Sequence, residues 1–227
     1  MTALEWTPRQ VGILLGLSEA TVKRMIAKGA LPSHKRGRGW RTSARTLLEP
    51  LRAGHRRSAT LHDAALAADD AECLAQLIEQ RAEGRSLGAL FDELLRSAAP
   101  LGFIERAQPL AELPEPKTRR IVRAALLESA KVESRMAACL FRARRVEVLT
   151  TLQQLDDEGA AALVQRARPE WFWAGKAEVA LPALAEAAAQ TGCRVLRLGR
   201  ESPGETSVAS FAELERLLLQ ASWRDFA

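Results

Sequence analysis

The sequence predicts a multidomain α + α/β protein, helical through its N-terminal half and built on a small parallel sheet toward its C-terminus. Three observations predict it. Apolar residues recur at every third or fourth position through the first half of the chain, the spacing of helices with one buried face. From Arg145 the period changes, and short strand-like runs alternate with amphipathic helical ones. The third observation is the placement of charge. Residues 1–57 hold 12 Lys and Arg against three acids, a net +9, while the other residues hold 21 against 25, a net −4, which together give the chain its +5. So local an excess calls for a polyanionic partner.

Composition removes several classes. With 227 residues and 47% hydrophobic content the chain can bury a core of ordinary globular size. It has no apolar run of the ~18 residues that a membrane span needs, and MTALEWTPRQ lacks the apolar centre of a signal peptide. The expected location is a bacterial-type cytoplasm, in association with the nucleoid and with no membrane partner. Cys73, Cys139 and Cys193 are odd in number and far apart, which is neither a disulfide framework nor metal spacing. They read as buried small hydrophobes.

In WTPRQVGILLGL, Thr7 is an N-cap and Pro8 a first helical residue, and Val11, Leu14 and Leu15 form an inward stripe. Gly16-Leu17-Ser18 then supplies a breaking glycine, an apolar plug and a new N-cap, and the second helix runs from Glu19 to Lys28 with Val22, Met25 and Ile26 facing inward. Two short helices joined by a glycine turn predict a helix-turn-helix, whose second helix is offered to the major groove. Gly29-Ala30-Leu31-Pro32 ends that helix. The segment KRGRGWR follows as an extended hairpin, a wing, in which Gly37 and Gly39 permit the turn and Lys35, Arg36, Arg38 and Arg41 reach phosphates or a minor groove. Trp40 is expected to pack under this hairpin rather than stack on a base, as a lid for a third helix capped by Ser43 and carrying Leu47, Leu48 and Leu51. The candidate DNA-binding residues are therefore the outward Thr21, Lys23, Arg24 and Lys28 of the second helix and Lys35, Arg36, Arg38 and Arg41 of the wing, with double-stranded DNA as partner.

From Thr7-Pro8 to Leu51, with GLSEATVKRMIAKGALP followed by GRGWR and a short helix, the chain resembles the winged helix-turn-helix of MerR-family regulators and the related excisionase-type domains. The resemblance implies a recognition helix in the major groove and a wing on the flanking backbone, and it adds Ser18 to the candidate DNA-binding residues.

Residues 1–54 thus form the expected DNA-binding domain and 55–62 a polar, basic linker. A helical bundle is expected over 63–118, with Leu74, Leu77 and Ile78 on one helix and Leu87, Leu90, Phe91, Leu94 and Leu95 on the next. Pro109, Pro114 and Pro116 interrupt it, and an amphipathic segment runs from about Lys117 to Arg144. The last domain occupies 119–227, its start lying between 119 and 145. Within it VEVLTTL, WFWAG and CRVLRLGR read as strands, and DDEGAAALVQRARPE, VALPALAEAAAQTG and SFAELERLLLQ as helices. IVRAALL, residues 121–127, reads as either a fourth strand or helix.

This order of pieces resembles the cobalamin-dependent repressors of carotenoid genes that respond to light, which join a MerR-like head to a bundle and a flavodoxin-like domain. The resemblance implies an axial histidine in an E/D-x-H-x-x-G motif, yet the three histidines are His34, His55 and His62, and the bundle lacks the tryptophan and Glu-His pair of that family. The expected domain is a degenerate one with no cofactor, serving oligomerisation, another ligand or a protein partner. No catalytic residue is expected: there is no phosphate loop after a strand, and Asp156, Asp157 and Glu158 read as acids at a helix N-terminus. Trp171 and Trp173 share one strand face, as core or as a partner or ligand surface. The expected function is that of a sequence-specific transcriptional repressor acting as a homo-oligomer, a dimer or a tetramer. A ligand- or cobalamin-responsive sensor and an antirepressor that works through protein contacts are the alternatives.

Overall fold

In a computed structural model the chain divides into two compact units, Met1–Glu112 and Leu113–Ala227. The residues described are 4–97, 102–111, 122–128, 131–144, 146–150, 155–176, 180–199 and 206–224.

The first unit opens with β1 (Glu5–Trp6), α1 (Pro8–Leu15) and α2 (Glu19–Ala27). Thr7 caps α1 in a reciprocal box: its hydroxyl accepts the Gln10 N–H at 3.3 Å and the Gln10 side chain accepts the Thr7 N–H at 2.8 Å. Gly16 ends the helix in left-handed backbone at φ +68°. Gly12, inside α1, is required by close approach, since a Cβ there would lie 2.7 Å from the Leu17 carbonyl. That contact directs the turn, and it leaves the Leu17 side chain 40% exposed, so Leu17 is not the apolar plug expected from sequence.

A hairpin follows, β2 (His34–Arg36) against β3 (Gly39–Ser43), and β1 adds to the far edge of β3 to complete an antiparallel sheet in the order β1-β3-β2. Its turn is Gly37-Arg38, with Gly37 at φ +60°, the first turn position, where a type II′ hairpin requires positive φ. Gly39 has no such conformation, so only Gly37 carries the turn. The core of this head is Trp6, Val11, Leu14, Val22, Ile26, Leu31 and, from α3 (Ala44–Arg52), Leu47 and Leu51.

The helices α4 (Leu61–Leu66), α5 (Asp70–Ala82) and α6 (Leu87–Leu95) and a 3₁₀ helix (Ile104–Leu110) complete the unit. They are tied to the head by polar bonds from buried or half-buried groups. Arg52 of α3 donates to Glu72 at 3.1 Å and to Glu79 at 2.9 Å, both on α5. Residues 55–62, read from sequence as a linker, are bonded to α5: the Glu72 carboxylate accepts the Ser58 N–H at 3.2 Å, Gln76 donates to the Ser58 carbonyl at 2.9 Å, and His55 meets Asp69 at 2.9 Å. From the other side Arg106 donates to the Leu14 carbonyl at 2.7 and 3.0 Å, and the Trp6 indole donates to the Pro109 carbonyl at 3.2 Å.

The second unit is a parallel α/β layer structure. Its elements are β4 (Arg123–Leu126), α7 (Val132–Ala143), β5 (Glu147–Thr150), α8 (Asp157–Ala167), β6 (Trp171–Gly175), α9 (Pro182–Thr191), β7 (Arg194–Leu198), β8 (Thr206–Val208) and α10 (Phe211–Arg224). Among the described residues the sheet has five strands in the order β5-β4-β6-β7-β8, all parallel, which is 2-1-3-4-5 in the unit's own sequence order, the flavodoxin-like arrangement. The IVRAALL segment therefore supplies an interior strand, β4, where the sequence pattern left strand and helix open. The expected amphipathic segment from about Lys117 is helical over Val132–Ala143, and its start, like Pro114 and Pro116, lies outside the described residues. One sheet face packs Ala125, Phe172, Ala174 and Val195 under Ala160 and Val164 of α8 and Leu184 and Ala187 of α9. On the other, Trp171 meets Phe141 of α7 edge to face and Trp173 stacks on Phe211 of α10, both at 5.9 Å between ring centres. At 4% and 0% exposure the two tryptophans are core, the first of the two roles expected from sequence.

Candidate nucleic-acid interface

The head turns its cations outward because its apolar residues alternate with them at helical spacing. On α2, Val22 and Ile26 are buried while Lys23, Arg24, Ala27 and Lys28 are exposed. Ser18 fixes where that helix starts: its hydroxyl accepts the Thr21 N–H at 3.1 Å and lies 2.9 Å from the Thr21 hydroxyl. Ser18 and Thr21 thus satisfy each other at the helix entrance. Lys23 reaches back to Glu19 at 2.7 Å, an i,i+4 pair exposed on both sides and weak in water. Arg24 and Lys28 have no acidic partner among the described residues.

The wing divides its cations in the same manner. Arg36 donates to Glu5 at 2.9 Å, and His34 lies 3.2 Å from the other oxygen of that carboxylate, so one half-buried acid on β1 holds two wing residues. Arg41 donates to the Trp40 carbonyl at 3.0 Å, bracing the strand beside the turn. Arg38 stands at the tip of the turn with no acidic partner among the described residues. Lys35 is paired across the hairpin with Trp40, and its ammonium sits 5.5 Å from the centre of the indole.

Trp40 is not the lid expected from sequence. It has the parity of the inward residues, since Thr42 is buried and is paired with buried Trp6 across β1 and β3. Two residues further along the strand, about 7 Å at strand rise, the hairpin has passed the edge of the core and Trp40 is 37% exposed. Thr42, bonded to Ser33 at 2.8 Å, takes the place under the hairpin that Trp40 was expected to fill.

The structure thus carries all nine candidate DNA-binding residues on α2, its N-cap and C-cap, and the wing. Three features were missed: the clamp of Glu5 on Arg36 and His34, the anchoring of Trp6 on Pro109, and that of α1 on Arg106. Each joins residues distant in sequence, and only the local pairings had a signal in the chain.

Residues 7–54 match the family model of a helix-turn-helix domain. No curated protein matches the chain. The family match coincides with α1 to α3 and the wing, and it supports a DNA-binding regulator. No helix among the described residues is long and apolar enough to cross a membrane.

Proposed function

We propose that the chain is a sequence-specific DNA-binding transcriptional repressor, not an enzyme. In this reading α2 lies in the major groove, the wing rests on the flanking backbone, and two or more copies act together. The observation that carries it is the outward face of α2 and its C-cap, where Arg24 and Lys28 stand without acidic partners among the described residues, on a helix whose position is set by a buried face and a serine cap. Arg24 is the residue with the reach and geometry for a bidentate guanine contact, and Lys23, Lys28, Lys35, Arg36, Arg38 and Arg41 supply attraction to phosphate. Ser18 and Thr21 lie at the end of the helix nearest the base edges. The head resembles MerR-type domains in its order of elements, and the flavodoxin-like strand order supports the likeness of the second unit to cobalamin-binding repressors. Residues 113–227 contain no histidine to ligate a corrinoid. The second unit is then the means of pairing heads, because one head alone buries too little DNA surface for useful specificity.

Selection by the full-length chain from a pool of random duplexes tests the reading. The expected product is a repeated half-site with centres about 10 base pairs or a multiple apart. A pool that shows no enrichment after repeated rounds would overturn it.

One observation favours a second reading, that the α/β unit senses a small molecule. The indole N–H of Trp173 is buried with no hydrogen-bond partner among the described residues. It lies 3.8 Å from the place a Cβ would take on Gly175, at the carboxyl end of β6. In this strand order ligands bind at the carboxyl ends of the first and third strands, here β4 and β6. Corrinoid absorption bands on protein purified after cobalamin supplementation, with a change of mass on illumination, would establish it, and a colourless protein of constant mass would remove cobalamin from consideration.

A further inference from the structure

We propose that Trp40 is a DNA-contacting residue, an aromatic anchor that packs on the sugar and base wall of the duplex beside the site occupied by α2. The inference rests on the DNA-binding reading of the head and adds an apolar contact to what is otherwise a set of charges. Three observations carry it.

The first is position. Trp40 has the parity of buried residues but lies beyond the core's edge, so folding leaves over a third of this aromatic surface, 37%, in water. Tryptophans placed in this way are enriched among the residues that dominate binding interfaces.

The second is fixation. Trp40 pairs with Lys35 in the two-stranded hairpin, the Arg41 guanidinium bonds its carbonyl at 3.0 Å, and the Lys35 ammonium lies over its ring at 5.5 Å. A side chain held by strand pairing and a cation–π contact loses little freedom on binding. The same contact brings a positive charge to the ring, so that a phosphate and the neighbouring deoxyribose can be met together.

The third is the charge around it. Residues 20–48 contain eight Lys and Arg and no Asp or Glu. A protein groove accepting Trp40 would have to tolerate that whole field, whereas a nucleic acid is attracted by it. DNA supplies both the phosphates for the cations and apolar sugar and base faces for the indole.

Fluorine NMR on the full chain grown with 5-fluorotryptophan tests the proposal. The chain has five tryptophans, and the resonance missing from a Trp40→Phe sample is that of Trp40. On titration with a mixed-sequence duplex of about 21 base pairs, two helical turns, this resonance is expected to shift or broaden while that of buried Trp6 stays in place. In parallel, Trp40→Ala is expected to weaken duplex binding about tenfold, the scale of losing one aromatic stacking contact. It should leave the slope of log affinity against log salt unchanged, since no charge is removed, and Trp40→Phe should recover most of the loss. An immobile Trp40 resonance at saturation overturns the proposal, and so does a folded Trp40→Ala chain that binds within twofold of wild type. The resonance is read on the wild-type sequence, so it decides the matter even if the alanine variant fails to fold. Absence of duplex binding by the wild-type chain is a different outcome, which removes the DNA-binding reading and this inference with it.

Discussion

Glu5 governs how much of the head's charge is available to a polyanion. Its side chain, only 17% exposed, holds Arg36 and His34 together through its carboxylate, so the wing presents less positive charge than its composition implies. Glu5→Gln should therefore tighten binding to every duplex alike and steepen the salt dependence by about one unit for one more phosphate contact. Titrations at several salt concentrations measure this, and an unchanged slope would show that Arg36 already leaves Glu5 when DNA arrives. The cysteines give a second prediction at this scale. Burial, with smaller contributions from nearby acids, pushes the Cys73 thiol up to about 12, and burial alone does the same to Cys193. Both should be silent to a thiol reagent near pH 8 in the native chain and react once it is denatured. Residues whose roles are set within a few positions were legible from sequence: Thr7 and Ser18 as caps, Gly37 as the turn, and the three cysteines as apolar fillers. Trp40 was not, because its exposure depends on how far the hairpin outruns the core, and Glu5 was not, because its partners lie 29 and 31 positions away.

At the scale of elements, the N-terminus of α9 shows how a helix start can depend on another helix. Its N-cap is Leu181, which has no side chain to accept a hydrogen bond. Asp157, in the first turn of α8, fills that role by accepting the Ala183 and Leu184 N–H groups at 3.0 and 2.9 Å, while its neighbour Asp156 caps α8 itself through the Gly159 N–H at 2.8 Å. From sequence all of these acids were read as complementing the dipole of α8. Asp157→Ala should cost the second unit about 1 kcal/mol, the typical size of a lost cap, and Asp157→Asn should recover part of it. Thermal unfolding of the three proteins checks the order, and equal melting temperatures would contradict the cross-helix cap. The helices were legible because their apolar stripes and caps are periodic. Strand β4 was ambiguous because its RAAL composition favours a helix locally. It becomes a strand because Ala124 and Ala125, fully buried, let an interior position of the sheet, between β5 and β6, carry helices on both faces. Strand β8, three residues long, gave no pattern at all.

At the scale of the whole molecule, the head and the helices that follow it form one unit through ionised groups, and this makes the unit sensitive to acid. Hydrogen bonding from Arg52, then the charges of Arg52 and Arg57, hold Glu79 below its ordinary value against the opposing effect of burial. At Asp69 burial pushes upward but is outweighed by the Glu72 and Ala71 N–H groups and by His55, so its value is also lowered. Carboxylates depressed in the folded state contribute stability that is fully present above their unfolded values and is lost as pH falls through the folded ones. The first unit should therefore weaken below about pH 4.5, and Glu79→Gln should be less stable than wild type at neutral pH but lose less on acidification. Circular dichroism against pH follows both, and parallel acid curves for the two proteins would contradict the link. The same ties mean that the head is presented on a fixed support within its unit, which suits readout through one positioned helix. The central claim is that α2 reads bases through Arg24 while the wing supplies charge. Its most direct test is the affinity of wild type and Arg24→Ala for the selected duplex and a scrambled one at fixed salt. Arg24→Ala is expected to lose about 1 to 3 kcal/mol on the selected duplex and little on the scrambled one, so that the ratio between them collapses. An Arg24→Ala chain that keeps the wild-type ratio would contradict it.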